Sequence, residues 1–214
     1  MKKTTAILVA LTASVFTATA GTPAPAIAPA ALPADPCAGP ISYTNVELLY
    51  AYTDWDGSGD NGDGGILRLE YGVMDNFYVT ASGEYHDAGL IDMWALSGGV
   101  GGYVPLTENI HLAADGGVLW VNYDVDSDPL DGSASNGWSG DEFGWYVRPH
   151  LRAKFGCFEI HAGAQYSEVS EFDIDEWAAF VNLYFEVAPG WDVTTGISYS
   201  NDRTTATGGA RYRF

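Results

Sequence analysis

The chain has 214 residues, with nine Lys and Arg against twenty-eight Asp and Glu and a formal net charge of −19. That balance argues against nucleic acid as a partner, and 14% aromatic residues with 26 Gly argue against a disordered chain. Two Cys are too few for a disulfide-rich scaffold or a four-Cys zinc site, and no apolar run is long enough for a mature membrane-crossing helix, so any span must be made of strands.

The first element is an export signal. Lys2 and Lys3 form a positive start, Ala6 to Phe16 an apolar stretch too short to span, and Ala18-Thr19-Ala20 a small-x-small cleavage site. Residues 1–20 are therefore predicted to be a signal peptide. Loss of Lys2 and Lys3 leaves 7 basic and 28 acidic residues, or −21. Residues 21–40 read as a Pro/Ala-rich periplasmic linker, with six of the ten Pro between 22 and 40. Drawn out as polyproline II, that stretch would reach roughly 60 Å at about 3.1 Å per residue. The residues ahead of Cys37, Pro33-Ala34-Asp35-Pro36, do not form a lipobox.

From Ile41 to Phe214 the hydrophobic period is two, and the pattern predicts an all-β, antiparallel up-and-down barrel. Ten strands are expected near 43–54, 65–73, 77–86, 91–105, 110–124, 143–155, 158–169, 175–187, 191–200 and 203–214. Eight is the alternative if the glycine-rich fourth segment (Gly98, Gly99, Gly101, Gly102) or the last loops are misread. Tight turns at 74–76, 107–109, 156–157 and 188–190 alternate with connections at 55–64, 87–90, 125–142, 170–174 and 201–202. Three of the latter are longer and rich in Asp, Gly and Ser. Short turns at one end and longer loops at the other are the pattern of an outer-membrane barrel.

One face of these segments is apolar. It carries Trp94, Trp120, Trp145 and Trp177 at the loop end, each ten positions from an apolar residue at the turn end. Ten steps at about 3.3 Å, tilted near 40–45°, give roughly 23–25 Å, the height of a lipid-facing band. The four Trp fit an interfacial girdle, and Trp191 and Phe214, with Phe77, Phe155, Phe158 and Phe185, fit the opposite one. The other face holds Glu47, Arg68, Glu70, Glu84, Asp115, Arg148, His150, Arg152, Lys154, Glu159, Arg211 and Arg213, which are expected to line a lumen.

The sequence ends Arg211-Tyr212-Arg213-Phe214, with Phe214, Tyr212, Ala210, Gly208 and Ala206 on the apolar face. A terminal Phe on an alternating last strand resembles the signal read by the barrel-assembly machinery. With this motif the stretch after Pro40 resembles the small outer-membrane barrels of the OmpA-type and OmpX-type transmembrane domains. The resemblance implies the outer membrane of a Gram-negative-type bacterium, lipopolysaccharide as neighbour and the assembly machinery as partner. It differs in strand number, ten against eight, and in lacking the C-terminal peptidoglycan-binding domain of full-length OmpA-type proteins.

Two readings fit the lumen. The stripe Arg148, His150, Arg152, Lys154 facing carboxylates could be a constriction that selects small ions or solutes. The same charges could instead pair into a plug, since an unpaired charge in a narrow lumen is costly. An adhesin or ligand-binding barrel working through acidic loops that bear Trp55 and Trp138 is the rival class. A lipid-modifying enzyme is the weakest reading: His86, with Glu84 nearby, is the one His close to the loop end, and no Ser stands beside it. No cofactor is expected. Asp54, Asp56, Asp60 and Asp63 echo a Ca²⁺ loop, but the twelfth place is Gly65 rather than Glu. Asp124, Asp126, Asp128 and Asp131 add carboxylates from the third loop. Cys37 and Cys157 both fall on the turn side, where a disulfide is possible.

Overall fold

A computed structural model describes residue 37 and residues 39–55, 61–89, 91–125, 138–169, 174–201 and 203–214. The signal peptide, most of the linker, and Asp56, Asp60, Asp126, Asp128 and Asp131 lie outside the described residues. Ten strands follow one another: β1 (Asn45–Trp55), β2 (Asn61–Met74), β3 (Phe77–Asp87), β4 (Ile91–Thr107), β5 (Ile110–Val125), β6 (Trp138–Phe155), β7 (Phe158–Val169), β8 (Ile174–Ala188), β9 (Trp191–Tyr199) and β10 (Arg203–Arg213). Each pairs antiparallel with its neighbour in sequence. β1 then pairs with β10, from Asn45 opposite Arg213 to Trp55 opposite Arg203, and closes the barrel. Closure leaves no unpaired edge, which is what lets strands live in lipid.

The ten expected strands are all present, and their ends shift for local reasons. β2 starts at Asn61 and β6 at Trp138, four and five residues earlier than the pattern suggested, because ladder pairing continues outward (Asp54 opposite Asn61, Val125 opposite Trp138) after the apolar alternation has stopped. Trp55 and Trp138 are consequently strand-end residues, not loop residues. β1 starts two residues late, at Asn45: the Ser42 hydroxyl donates to the Thr44 carbonyl at 3.2 Å and turns the chain across the barrel mouth.

Turn chemistry explains the short connections. Asn76, Gly156 and Gly190 take the left-handed backbone that tight hairpins need, with φ of 64°, 60° and 78°. Register shifts at Gly72/Met74, Pro105/Thr107 and Glu186/Ala188 sit beside the tight turns at 74–76, 107–109 and 188–190. Pro105 lies at such a shift, where a missing N–H disturbs the ladder least.

The alternation is inside-out relative to a water-soluble barrel. Leu48, Leu67, Val100, Val118, Phe155, Val193 and Ile197 are exposed on the outer wall. Inside lie buried Glu47, Asp115, Arg152, Lys154, Glu159, Asp192 and Arg211. Small apolar patches complete the interior: Leu49, Ala51 and Ile66, and, at the turn end, Ile41, Tyr43, Tyr78 and Ala113. An apolar outer belt on a closed barrel with a charged interior is a membrane-spanning arrangement. The fold is that of a small outer-membrane-type β-barrel.

Candidate functional site

The lumen collects every charged residue that the alternation assigned to it. Because successive side chains on a strand alternate faces, the inner parity of β1, β2, β3, β5, β6, β7, β8, β9 and β10 converges on one narrow space. The seven basic residues beyond Lys3 all end there, each in an ion pair of 3.8 Å or less.

Toward the turn end the pairs are tight and share partners. The Arg211 guanidinium donates to Glu159 at 2.8 and 3.2 Å and to Asp192 at 2.6 Å, while lying 3.8 Å over the Tyr184 ring. His161 meets the same Glu159 at 2.6 Å. Arg213 bridges Asp192 at 3.0 Å and Glu186 at 2.6 Å, and Lys154 stands 3.7 Å from Glu186. Arg152 grips Glu70 through two parallel bonds of 2.6 and 2.9 Å, and Asn45 donates to the same carboxylate at 2.9 Å. The Arg152 Nε–H donates to His150 Nε2 at 3.0 Å, so that nitrogen carries no proton and His150 Nδ1–H is left to donate to the Arg148 carbonyl at 3.1 Å.

Beneath Arg152 lies an aromatic stack. Its guanidinium is 4.3 Å from the Tyr43 ring centre. Tyr43 stacks flat on Tyr103, with centroids 4.0 Å apart, leans on Tyr78 at 4.8 Å, and its hydroxyl meets His111 Nδ1 at 3.3 Å. Tyr43 belongs to the short run ahead of β1 that crosses the mouth. Cys37, at the start of that run, is disulfide-bonded to Cys157 in the β6–β7 turn, with Cα atoms 4.7 Å apart.

Toward the loop end the packing loosens. Arg148 pairs with Asp115 at 3.0 Å, and Arg68 reaches Glu47 only at 3.8 Å. A cavity of about 120 Å³ opens between these groups, lined also by Glu84, Gln165, Phe180 and Asn182. Its floor includes Asn45, Glu70 and Arg152. Higher still, Arg203 pairs with Glu176 at 3.2 Å.

His86 is turned inward and 2% exposed. Its Nε2 is 2.5 Å from Glu84, its Nδ1 is 3.5 Å from the Thr53 hydroxyl, and Trp55 packs edge-on against it. A hydroxyl, an imidazole and a carboxylate thus stand in line. The hydroxyl, however, is 3.0 Å from Thr205 Oγ1, and Thr53 is 1% exposed, so a substrate has no approach to it.

The outer girdles are in place as surfaces. Trp94, Trp145, Trp177, Trp191 and Phe214 are exposed, while Trp120 is half-buried opposite Phe143. Trp145, Tyr166 and Trp177 form a continuous row of tilted ring contacts on β6–β8, with centroids 5.2 and 5.1 Å apart. Of the acidic first loop, Asp63 lies within β2 opposite Tyr52, and Asp54, next to last in β1, lies opposite Asn61. Among the described residues no group of three or more His, Cys, Asp or Glu is arranged to hold a metal ion.

Several interior residues went unremarked in the sequence, although parity marks them. Asp192 shares the inward phase of β9, and Tyr43, Tyr78, Tyr103, Tyr146 and Tyr184 share that of their own segments. Reading the lumen for charge alone passed over the rings that fill it.

No protein-family model matches the sequence, and no curated protein matches it. Solved structures similar in fold are outer-membrane barrels. OprG from Pseudomonas aeruginosa is 13% identical with a TM-score of 0.46, covering 80% of this chain and 96% of its own. Ail, the attachment invasion locus protein of Yersinia pestis, is 18% identical with a TM-score of 0.42, covering 79% and 95%. The NanC porin is 7% identical with a TM-score of 0.48, covering 79% and 100%.

Proposed function

We propose that this protein is a non-enzymatic outer-membrane barrel with a structural role, and that its lumen is closed to ions while the Cys37–Cys157 bond is intact. One observation carries the reading: all seven basic side chains beyond Lys3 are spent on carboxylates inside the barrel, with Tyr43 seated under the Arg152–Glu70 pair. Charges committed to each other in a narrow lumen brace the wall and leave little to coordinate a passing ion. In this reading the signal peptide exports the chain, the strand ending in Phe214 is what the assembly machinery reads, and lipopolysaccharide meets the outer wall at the Trp girdle.

The test is conductance of the oxidised, refolded mature protein in a planar bilayer, with folding established by heat-dependent gel mobility. A folded and electrically silent barrel is the expected result. Steady ion-selective steps, altered by Arg148→Glu, would instead establish the porin reading, with β6 at the constriction.

A second reading has its own support. β2 and β6 extend several residues past the last apolar outward position, so the barrel raises a paired wall under its loops. Such a wall suits a barrel that presents its loops to a ligand. Replacement of residues 126–137 by a short Gly-Ser linker, leaving heat-dependent mobility unchanged, would abolish ligand or cell-surface binding if the loops are the working part.

A further inference from the structure

We propose that Cys37 and residues 39–43 form a gate seated in the turn-side mouth of the barrel, that the Cys37–Cys157 bond is its lock, and that reduction of this bond by a dithiol opens the lumen to small polar solutes and ions. The proposal rests on the closed-lumen reading above and says what would open it.

The gate is built from the inward parity of β1 continued past the end of its ladder. Ile41 and Tyr43 have the same phase as Asn45 and Glu47, and each is 6% exposed. They do not pair as strand: the run folds across the mouth and fills it with side chains. Tyr43 is the contact that matters most. Its ring stacks on Tyr103 and carries the Arg152 guanidinium on its other contacts. Arg152 and its partner Glu70 also form part of the floor of the 120 Å³ cavity. One ion-paired layer therefore separates the cavity from the gate, and that layer leans on the gate. With Tyr43 withdrawn, Arg152 loses the ring beneath it.

Besides the covalent bond, the run is held by the packing of Ile41 and Tyr43 against Tyr78, Tyr103 and Ala113, with few backbone hydrogen bonds among the described residues. Near its end, the Thr44 carbonyl accepts from the Phe214 N–H at 3.2 Å and the Thr44 hydroxyl from the Gly72 N–H at 3.1 Å. These bonds anchor the start of β1 and leave the rest to hinge about it. The closed state also carries a cost. The Lys154 ammonium is buried, with no hydrogen-bond partner among the described residues, 3.7 Å from Glu186 and close beneath Gly39. A buried ammonium short of partners regains water when the run lifts. The closed state is then held chiefly by aromatic stacking and by the tether.

Opening is a thiol–disulfide exchange. A thiolate of the dithiol attacks one sulfur and displaces the other Cys as a thiolate. The second thiol of the reductant then resolves the mixed disulfide, so the reductant ends oxidised and the protein gains two thiols. Cys157 is only half-buried, which gives the reductant its approach. The solutes are set by the cavity. Arg68 and Arg148 face Glu84 across amides and hydroxyls, so neither sign is excluded. At about 15 Å³ for each water, the space holds on the order of eight waters, or one small polar molecule.

The experiment compares oxidised protein, protein treated with dithiothreitol, and the Cys37→Ser/Cys157→Ser variant in planar bilayers. Heat-dependent mobility confirms each barrel, and thiol labelling confirms bond cleavage. Oxidised protein is expected to be silent, and both released forms are expected to show conductance steps, with dithiothreitol adding nothing to the variant. Tyr43→Ala, with the bond intact, is expected to raise flickering openings, because Arg152 then keeps the more distant Tyr78 ring, at 5.5 Å, and loses the nearer one. Silence of every form with the barrel folded overturns the gate and leaves the closed lumen standing. Steps from oxidised protein overturn the closed lumen and the gate with it. A dithiothreitol response that persists in the Cys-free variant overturns the lock.

Discussion

The two halves of the lumen use the same residue types to different ends. On the turn side, Arg152 and Arg211 are each 1% exposed and bind carboxylates through two or three bonds of 2.6–3.2 Å. On the loop side, Arg68 keeps one partner at 3.8 Å, and the Arg203 side chain is 35% exposed. Burial is what separates them. A buried guanidinium cannot fall back on water, so its pairs are structural, whereas a half-buried one within reach of solvent exchanges protein for water at less cost. Turn-side substitutions therefore test the barrel, and loop-side substitutions test the cavity.

The largest effect is expected at Arg211. Arg211→Ala leaves Glu159 to His161 and Asp192 to Arg213, takes away three short bonds and uncovers the Tyr184 ring, and breaking a buried pair this way costs about 3–5 kcal/mol. A fall in the urea midpoint of the barrel in lipid vesicles reads it directly. A loss no greater than that of an exposed pair would mean that water reaches this layer. Arg152→Ala is expected to cost nearly as much, since among the described residues Glu70 keeps only Asn45 as a donor. Arg152→Met with Glu70→Leu should recover most of the loss, because neither charge is then left alone. If the double variant is as weak as the single, the pair shapes the fold by more than mutual compensation.

A middle-sized effect is expected where a glycine makes room for a ring. Gly101 faces inward on β4, and a methyl group there would stand 2.3 Å from Cζ of Tyr78, which is 1% exposed. Gly101→Ala must push that ring off its site, at a cost of about 1–3 kcal/mol, seen as a lower midpoint and as a change in near-ultraviolet circular dichroism. On the loop side Arg203→Ala removes only the Glu176 pair, and a change below about 1 kcal/mol is expected in the same urea titration.

The wall was legible in the sequence because its signal is local. Period two, turn residues and Trp spacing gave ten strands and both faces, since each depends only on neighbours along the chain. The lumen was legible as a list of residues and not as a set of pairs. Parity says that Arg152 and Glu70 both face inward, yet they lie on β6 and β2, strands that share no ladder. Their meeting depends on barrel width and side-chain length, which alternation does not encode. The mouth was harder still. Residues 39–40 read as the end of a linker and 43–44 as the start of the first strand, whereas their packing against Tyr103 and His111 depends on closure of the barrel around them.

The smallest effect belongs to the outer wall just beyond the aromatic girdle, where the outward phase changes from rings to carboxylates. Asp63 stands directly opposite Asp87, Asp87 opposite Asp92, and Asp92 opposite Asp124, an unbroken row across β2–β5. Glu168 opposite Asp175 repeats it on β7–β8. Like charges directly across a ladder destabilise it, and Asp87, like Asp92, has a like charge on both sides. Asp87→Asn is therefore expected to raise thermal stability slightly at low ionic strength, measured as the temperature at which gel mobility shifts. The gain should fade as salt is added, since exposed charges are screened over about 10 Å at 0.1 M. A gain that survives high salt would point to packing rather than charge. A loss would mean that the Asp87 carboxylate, which accepts the Gly89 N–H at 2.9 Å, matters more to the β3–β4 turn than repulsion matters to the ladder.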